Sequence, residues 1–353
     1  IKAGVIRGQE SNGMICSLLE LGVDPHQLSE ESKNGIEVLD EDAPVGNENP
    51  LGYLALDDEI LDVGLTPNRN DCMAAGSMAL ETGAILHKEV NIPYVEGASN
   101  VGEASRLIVR SETEKCPLFL GKVINSVTIK PSPKWMQELL MAAGMKSINN
   151  VVDISNIVML ETGQPLHFYD LDAIPAQEIT VKDQQRFDYT ALDGESYHIE
   201  EDDIVITTEG KPIGIAGIMG GDDSKIEETT KGIIIEAAIF HHVSIRNTSR
   251  RLNLGTDASV RYQKGIEPMA TFKAVDRAVQ LLIEYADASG LEETKQYGSN
   301  GYTPLEFDVN LDRINVLLGQ DFQQEEVMKV LDDLHLETSV NNSDFWVKTP
   351  SYQ

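Results

Sequence analysis

What these 353 residues lack narrows the field first. Cysteine is scarce: Cys16, Cys72 and Cys116 are widely spaced, form no CxxC and have no clustered histidine partners. That spacing argues against zinc and suits reduced thiols in a cytoplasmic protein. No apolar run approaches the length of a membrane span, so the chain reads as soluble. There is no GxSxG, no HExxH, no P-loop and no GxGxxG following a strand, which removes the standard catalytic signatures. No cysteine lies near a histidine in sequence, so covalent thiol catalysis has little support. The chain has neither an initiator methionine nor a signal peptide and reads as a piece of a longer polypeptide.

Positive charge is also in short supply. The chain has 28 Lys and Arg against 58 Asp and Glu, a formal net charge of −30. Phosphate binding needs cationic surface, so a general nucleic-acid coat is excluded, while a local basic site on an acidic body is not. One stretch reverses the balance. From Arg246 to Lys264, Arg246, Arg250, Arg251, Arg261 and Lys264 face a single acid, Asp257. Arg246, Arg250 and Arg251 follow i, i+4, i+5 spacing, which groups them on one side of a helix. They can pair with the chain's own surplus acids or meet an anionic ligand.

The length suggests two or three domains, each able to bury a core. Residues 1–50 read as strands and loops. Asp71 reads as the N-cap of a helix from Cys72 to about Leu86, and residues 91–105 as a linker. From Arg106 to about Asp287, β-branched strands at 107–110, 118–127, 179–182, 204–208, 213–219 and 232–237 alternate with helices at 133–143, 151–162, 242–252 and 269–285. Ser132 reads as an N-cap, with Pro133 in the first helical position. The alternation lacks a βαβ rhythm, so the fold class is α+β, multidomain, with mixed sheets and packed helices. From Tyr302 onward come two short amphipathic helices and a hairpin-like pair of strands.

Four places can carry chemistry. In "SNIVMLETGQPLHFYD", Ser155, Asn156 and Glu161 lie on a helix, Gly163 ends it, and Pro165 stiffens a loop that presents His167. That histidine serves either backbone groups or a site. In "IGIAGIMGG", Gly214, Gly217, Gly220 and Gly221 allow close backbone approach, whether as a bulge and tight turn or beside a ligand. In "GIIIEAAIF", Glu236 sits in an apolar run and needs a hydrogen-bond donor, either a nearby arginine or a ligand group. In "SRRLNLGTDASVRYQKG", Thr256 is a fitting N-cap for the helix that follows.

Taken in order, "LTPNRNDCMAAGSMALETGA", "NNVVDISNIVMLETGQPLHFYD", "GIAGIMGG" and "EAAIFHHVSIRNTSRRLNLGTDASVRYQKGIEP" resemble the β subunit of bacterial phenylalanyl-tRNA synthetase over essentially the whole chain. The resemblance implies four segments. Residues 1–50 match the end of an OB-like tRNA-binding module and 51–99 a small B1-like domain. Residues 102–299 match a B3/B4 editing domain, and 302–353 the truncated start of a B5 domain with a DNA-binding-like fold. It implies that the editing domain hydrolyses tyrosine wrongly attached to the phenylalanine tRNA. It further implies that His167 and Thr256 serve the ester, that Ser155, Asn156, Gly217, Gly220 and Ala258 shape the pocket, and that Glu236 reads the tyrosine hydroxyl. Ala216 departs from the pattern, where many relatives have glycine.

The tRNA, a catalytic α subunit and an α2β2 assembly are the implied partners. ATP and magnesium are implied for the intact enzyme. No cofactor is assigned to this segment and no metal is placed, since the family's magnesium-binding acids follow beyond "TPSYQ". Arg246, Arg250 and Arg251 are the expected tRNA contacts. The competing reading is a non-catalytic scaffold that holds tRNA and the α subunit.

Overall fold

The computed structural model describes all residues except 1–3, 14, 29, 40, 42, 93–96, 342–343 and 353. The opening residues, the middle of the expected linker and the turn of the C-terminal hairpin lie outside the described residues. Packing yields two compact units, Ile1–Val63 with Pro131–Asn149 and Gly64–Lys130 with Asn150–Gln353.

The first unit holds a small hairpin, Gly4–Ile6 with Gln9–Ser11, turned through Arg7 and Gly8 at positive φ. Its helix Lys134–Ala142, which lies in sequence within the expected editing segment, packs with the N-terminal residues. Pro133 stands in the cap position and no side chain caps this helix, which corrects the cap expected at Ser132. Lys134 lies over the ring of Tyr53, 3.9 Å from its centroid, and donates to its carbonyl.

Two five-stranded sheets dominate the second unit. One runs in the order Met219–Gly220, Lys211–Ile215, Val205–Thr208, Glu178–Lys182 and Ile108–Ser111. Its last two strands are parallel and the others antiparallel, so the sheet is mixed, as expected. Glu209 and Gly210 make its hairpin turn, both at positive φ, the twist-matched two-residue geometry. In the other sheet, Ile233–Ile239 lies between Leu118–Ser126 and Leu166–Asp170, and Ser289–Leu291 and Lys295–Gly298 both pair with Leu118–Ser126.

The central strands of this second sheet are buried on both faces, which explains their nearly unbroken apolar sequence. Leu107, Phe119, Val123, Ile234 and Ala238 join the core cluster with Ile206 and Ile215 of the first sheet. The helices Asn150–Thr162 and Ala270–Tyr285 pack on each other and on this second sheet. Arg277 binds Glu161 through two nitrogens, at 2.7 and 2.9 Å, and so clamps the two helices together. Even Lys122 is 0% exposed; it donates to the carbonyls of Val101 and Glu292.

Two expected elements change form. The strand expected over 213–219 breaks at Ala216–Ile218, because Gly217 adopts φ 65° and the chain doubles back on itself. Asp71 does not cap a helix: Asn70–Met73 is a 3-10 turn, the α-helix spans Ala75–Leu86, and Asp71 is held by Arg69. C-terminal to the sheets, Leu311–Leu318 and Gln324–Asp333 accompany a three-stranded sheet of Glu306–Asn310, Asp344–Lys348 and Glu337–Asn341.

Gly298 anchors an edge of the second sheet. It has φ 70°, and a Cβ there would lie 2.0 Å from the carbonyl oxygen of Pro117. Gly298→Ala is expected to destabilise the chain by about 2–4 kcal/mol in denaturant titrations, since backbone cannot yield as a side chain can. Gly210→Ala, with φ 78° and nothing within 4 Å, should cost only about 1 kcal/mol.

Candidate active site

The cavity forms where three facts of strand geometry meet. Glu236 lies directly opposite His167 on the neighbouring antiparallel strand. Directly opposed residues share a face of the sheet, and so do residues two apart along a strand. Glu236, His167 and Tyr169 consequently project from one face and line one cavity of about 70 Å³. One water needs roughly 10–15 Å³ on this measure, so several fit. His167 is thus borne on the strand Leu166–Asp170, not on the expected loop. Gly163 and Pro165 still form the turn that leads into it. Glycine-turn residues from Gly214 to Gly220 make the facing wall, with Ala258 and Tyr262 of the helix Asp257–Lys264.

Glu236 is 6% exposed, and its hydroxyl partner is Tyr169, whose O–H donates to Oε2. Of the two partners considered for it, an arginine or a ligand group, no arginine bonds it among the described residues. Burial pushes the Glu236 carboxyl up to about 7, against the hydrogen bond from Tyr169, which favours its charged form. Burial acts in the opposite sense on His167, pushing the imidazole down to about 4. At neutral pH the ring is uncharged. Its Nε2 is fully shielded and has no hydrogen-bond partner among the described residues. The ring stands edge-on to Tyr169, with centroids 4.5 Å apart.

Glycine keeps the cavity open. A Cβ at Gly220 would lie 2.3 Å from Cε1 and 2.5 Å from Nε2 of His167. At Gly217 it would meet Tyr262 at 2.9 Å and Phe240 at 3.1 Å, on a backbone already at φ 65°. Thr256 caps its helix in a capping box with Ser259. Its hydroxyl donates to Ile218 O at 2.9 Å, tying the helix to the glycine turn. The N–H groups of Ala216, Ile218 and Gly221 go to the chain's own carbonyls.

Residues 115–287, which contain every element of this cavity, match the family model of the B3/4 domain. Over 99% of its length the chain is 41% identical to the phenylalanine–tRNA ligase beta subunit of Staphylococcus aureus strain bovine RF122 / ET3-1, and equally to that of strain Mu50. The chain belongs to the phenylalanine–tRNA ligase beta-subunit family. It spans 44% of the length of these curated relatives. The crystal structure of an N-terminal fragment of the phenylalanyl-tRNA synthetase beta subunit from Pyrococcus horikoshii covers 81% of the chain, which covers 80% of it in turn. At 13% identity and a TM-score of 0.39, that likeness is too distant to bear on the site.

Within this beta-subunit segment, the residues singled out from sequence separate into three groups. His167, Gly217, Gly220, Glu236 and Ala258 line the cavity, and Thr256 braces its wall. Ser155 and Asn156 are not among its lining residues, and the Ser155 hydroxyl is given to Val152 O. Of the three arginines, Arg251 bonds Asp203 and the carbonyl of His198, with Glu200 at 3.7 Å. Arg246 and Arg250 make no ion pair among the described residues. Sequence reasoning gave no role to Tyr169 or Tyr262. The signal for Tyr169 was its period-2 relation to His167.

Among the described residues one group of side chains has metal-ligand spacing. Asp71, Cys72 and Glu81 present ligand atoms within 4.8 Å of one another. Arg69 already fills the space between them, donating to Asp71 at 2.8 and 3.0 Å, to Cys72 Sγ at 3.1 Å and to Glu81 at 2.5 Å. A second cation there would have to displace the partly exposed Arg69 guanidinium.

The close approach of Gly220 to His167 predicts coupled stabilities. Gly220→Ala should destabilise the chain by about 1–3 kcal/mol, and the same change in a His167→Ala background should be nearly neutral. A double-mutant cycle in denaturant checks this; additive costs would place the imidazole elsewhere.

Proposed function

We propose that this cavity is the editing site of a phenylalanine–tRNA ligase and hydrolyses the ester of tyrosine mischarged onto the phenylalanine tRNA. One observation carries the reading: a buried carboxylate with acceptor capacity to spare and an unpartnered imidazole nitrogen face one cavity from paired strands. An apolar pocket separates tyrosine poorly from phenylalanine. A buried acceptor does so strongly, because phenylalanine leaves it unpaired.

In this reading Glu236 accepts the tyrosine hydroxyl. An aminoacyl ester is already activated, so a placed water suffices and no strong nucleophile is needed. His167 is a weak base when its pKa lies near 4, and its role is to accept a hydrogen bond from that water at Nε2 and orient it. Thr256, its proton engaged, holds the glycine turn against the ester rather than donating to it. The tRNA end approaches past Arg246 and Arg250, while Arg251 serves the fold. Activation of phenylalanine with ATP and magnesium, the α subunit and the α2β2 assembly belong to the whole enzyme in this reading.

Incubated with both charged tRNAs, the chain should cleave Tyr-tRNA(Phe) and spare Phe-tRNA(Phe). His167→Ala should slow the first reaction about 10²-fold, the low end for losing a placed proton acceptor. Glu236→Ala should erase tenfold or more of the preference for tyrosine, roughly the 1.5–3 kcal/mol of a charged hydrogen bond. Cleavage of neither ester, or of both alike, would favour the scaffold. Arg246→Ser with Arg250→Ser should flatten the logarithmic salt dependence of turnover by about 0.7 for each phosphate no longer neutralised. An unchanged slope would remove these two arginines from the tRNA path.

A further inference from the structure

Tyr169 touches two of the three other polar side chains that line the cavity, Glu236 and His167. Its hydroxyl donates to Oε2 of Glu236, and its ring packs edge-on against His167 at an interplanar angle of 76°. Among the described residues this is the only side-chain hydrogen bond to Glu236, so Oε1 retains its full acceptor capacity. A phenol has one proton to donate, and that proton is spent. Among the described residues no second side-chain donor reaches Glu236, so the next one is a water or a ligand group that displaces it.

Resting on the reading that the cavity receives a tyrosyl ester, we propose that Tyr169 is its specificity-positioning residue: it holds Glu236 by one carboxylate oxygen so that the other reads the ligand hydroxyl, and it braces His167 with the same ring. Several groups face Glu236. His167 and Tyr169 stand on one neighbouring strand and Gly121 on the other. Tyr262 comes from the helix Asp257–Lys264, and Cys116 precedes the strand Leu118–Ser126. No charged side chain governs its titration; burial raises it and the Tyr169 hydrogen bond lowers it. Burial is the larger influence, and the hydroxyl at position 169 is the one side-chain hydrogen bond among the described residues that opposes it.

The test compares the full chain with Tyr169→Phe and with 3-fluorotyrosine placed at 169, a stronger donor of the same shape. Carbon-13 NMR of carboxyl-labelled glutamate follows the titration, with the Glu236 signal assigned by its loss in Glu236→Gln. The midpoint should fall in the order Phe, Tyr, 3-fluorotyrosine. At neutral pH, Tyr169→Phe should lose about tenfold of the preference for Tyr-tRNA over Phe-tRNA, since a neutral carboxyl binds a hydroxyl about half as strongly. That loss should recover as pH rises past the shifted midpoint, which a merely structural tyrosine would not produce.

A midpoint and pH profile that ignore residue 169 would overturn the inference while leaving the editing reading intact. A wild-type chain with no preference for Tyr-tRNA would end that reading, whatever the midpoints do. Should Tyr169→Phe fail to fold, the fluorotyrosine comparison decides alone.

Discussion

The second unit is organised around one expensive placement: a carboxylate in the middle of the central strand of a sheet buried on both faces. An isolated charge there would cost many kcal/mol, so the group must be neutral or hydrogen-bonded. The structure supplies a phenol rather than a guanidinium, and the choice has consequences. Where Arg277 meets Glu161, by contrast, the planar fork takes both oxygens and the pair is closed. Tyr169 has one proton and takes one oxygen. The carboxylate is anchored and still has something to offer.

Space is arranged by the same logic. Opposite Glu236 on the other neighbouring strand stands Gly121, where a Cβ would meet Leu107 at 2.7 Å and Val109 at 2.8 Å. Gly220 faces His167 with no room even for a methyl group. The sheet packs tightly against Leu107 and Val109 at Gly121, while Gly217 and Gly220 line the hollow that the polar side chains face. Because burial shifts an acid upward and a base downward, the same dry environment brings Glu236 toward the neutral range and removes the charge from His167. A neutral imidazole beside a carboxylate of adjustable charge can orient water without becoming locked in an ion pair.

Much of this was legible in the sequence, for reasons that differ by element. The α+β class with mixed sheets was readable because β-branched runs and 3.6-residue periods are local signals; the helix His242–Leu252 matched to the residue. The cavity residues His167, Gly217, Gly220, Glu236 and Ala258 came from a resemblance, which carries three-dimensional information that periodicity lacks. Cross-strand register was not legible. His167 looked like a loop residue because Gly163 and Pro165 precede it at once, and nothing local shows that the next five residues pair with a strand some seventy positions on. Missing that strand also meant missing Tyr169, whose importance follows only from standing two residues beyond His167 on a shared face.

The basic stretch answers a choice that composition left open. Its five cations against one acid could pair with the chain's own acids or meet an anionic ligand, and helix geometry distributes them to different tasks. Arg261 turns back to Asp257 within its own short helix, and Arg251 reaches Asp203, itself held by Thr248 and the N–H of Glu200. Those two cations stabilise the framework that carries the cavity wall. Arg246 and Arg250, one helical turn apart, and Lys264 at the end of the following helix make no ion pair among the described residues. On a body with a net charge of −30, a short basic strip of this kind attracts phosphate at close range while the surrounding acids repel it at distance. Under the proposed editing function, such a surface would select a chain end that is presented to it and disfavour nucleic acid met at random.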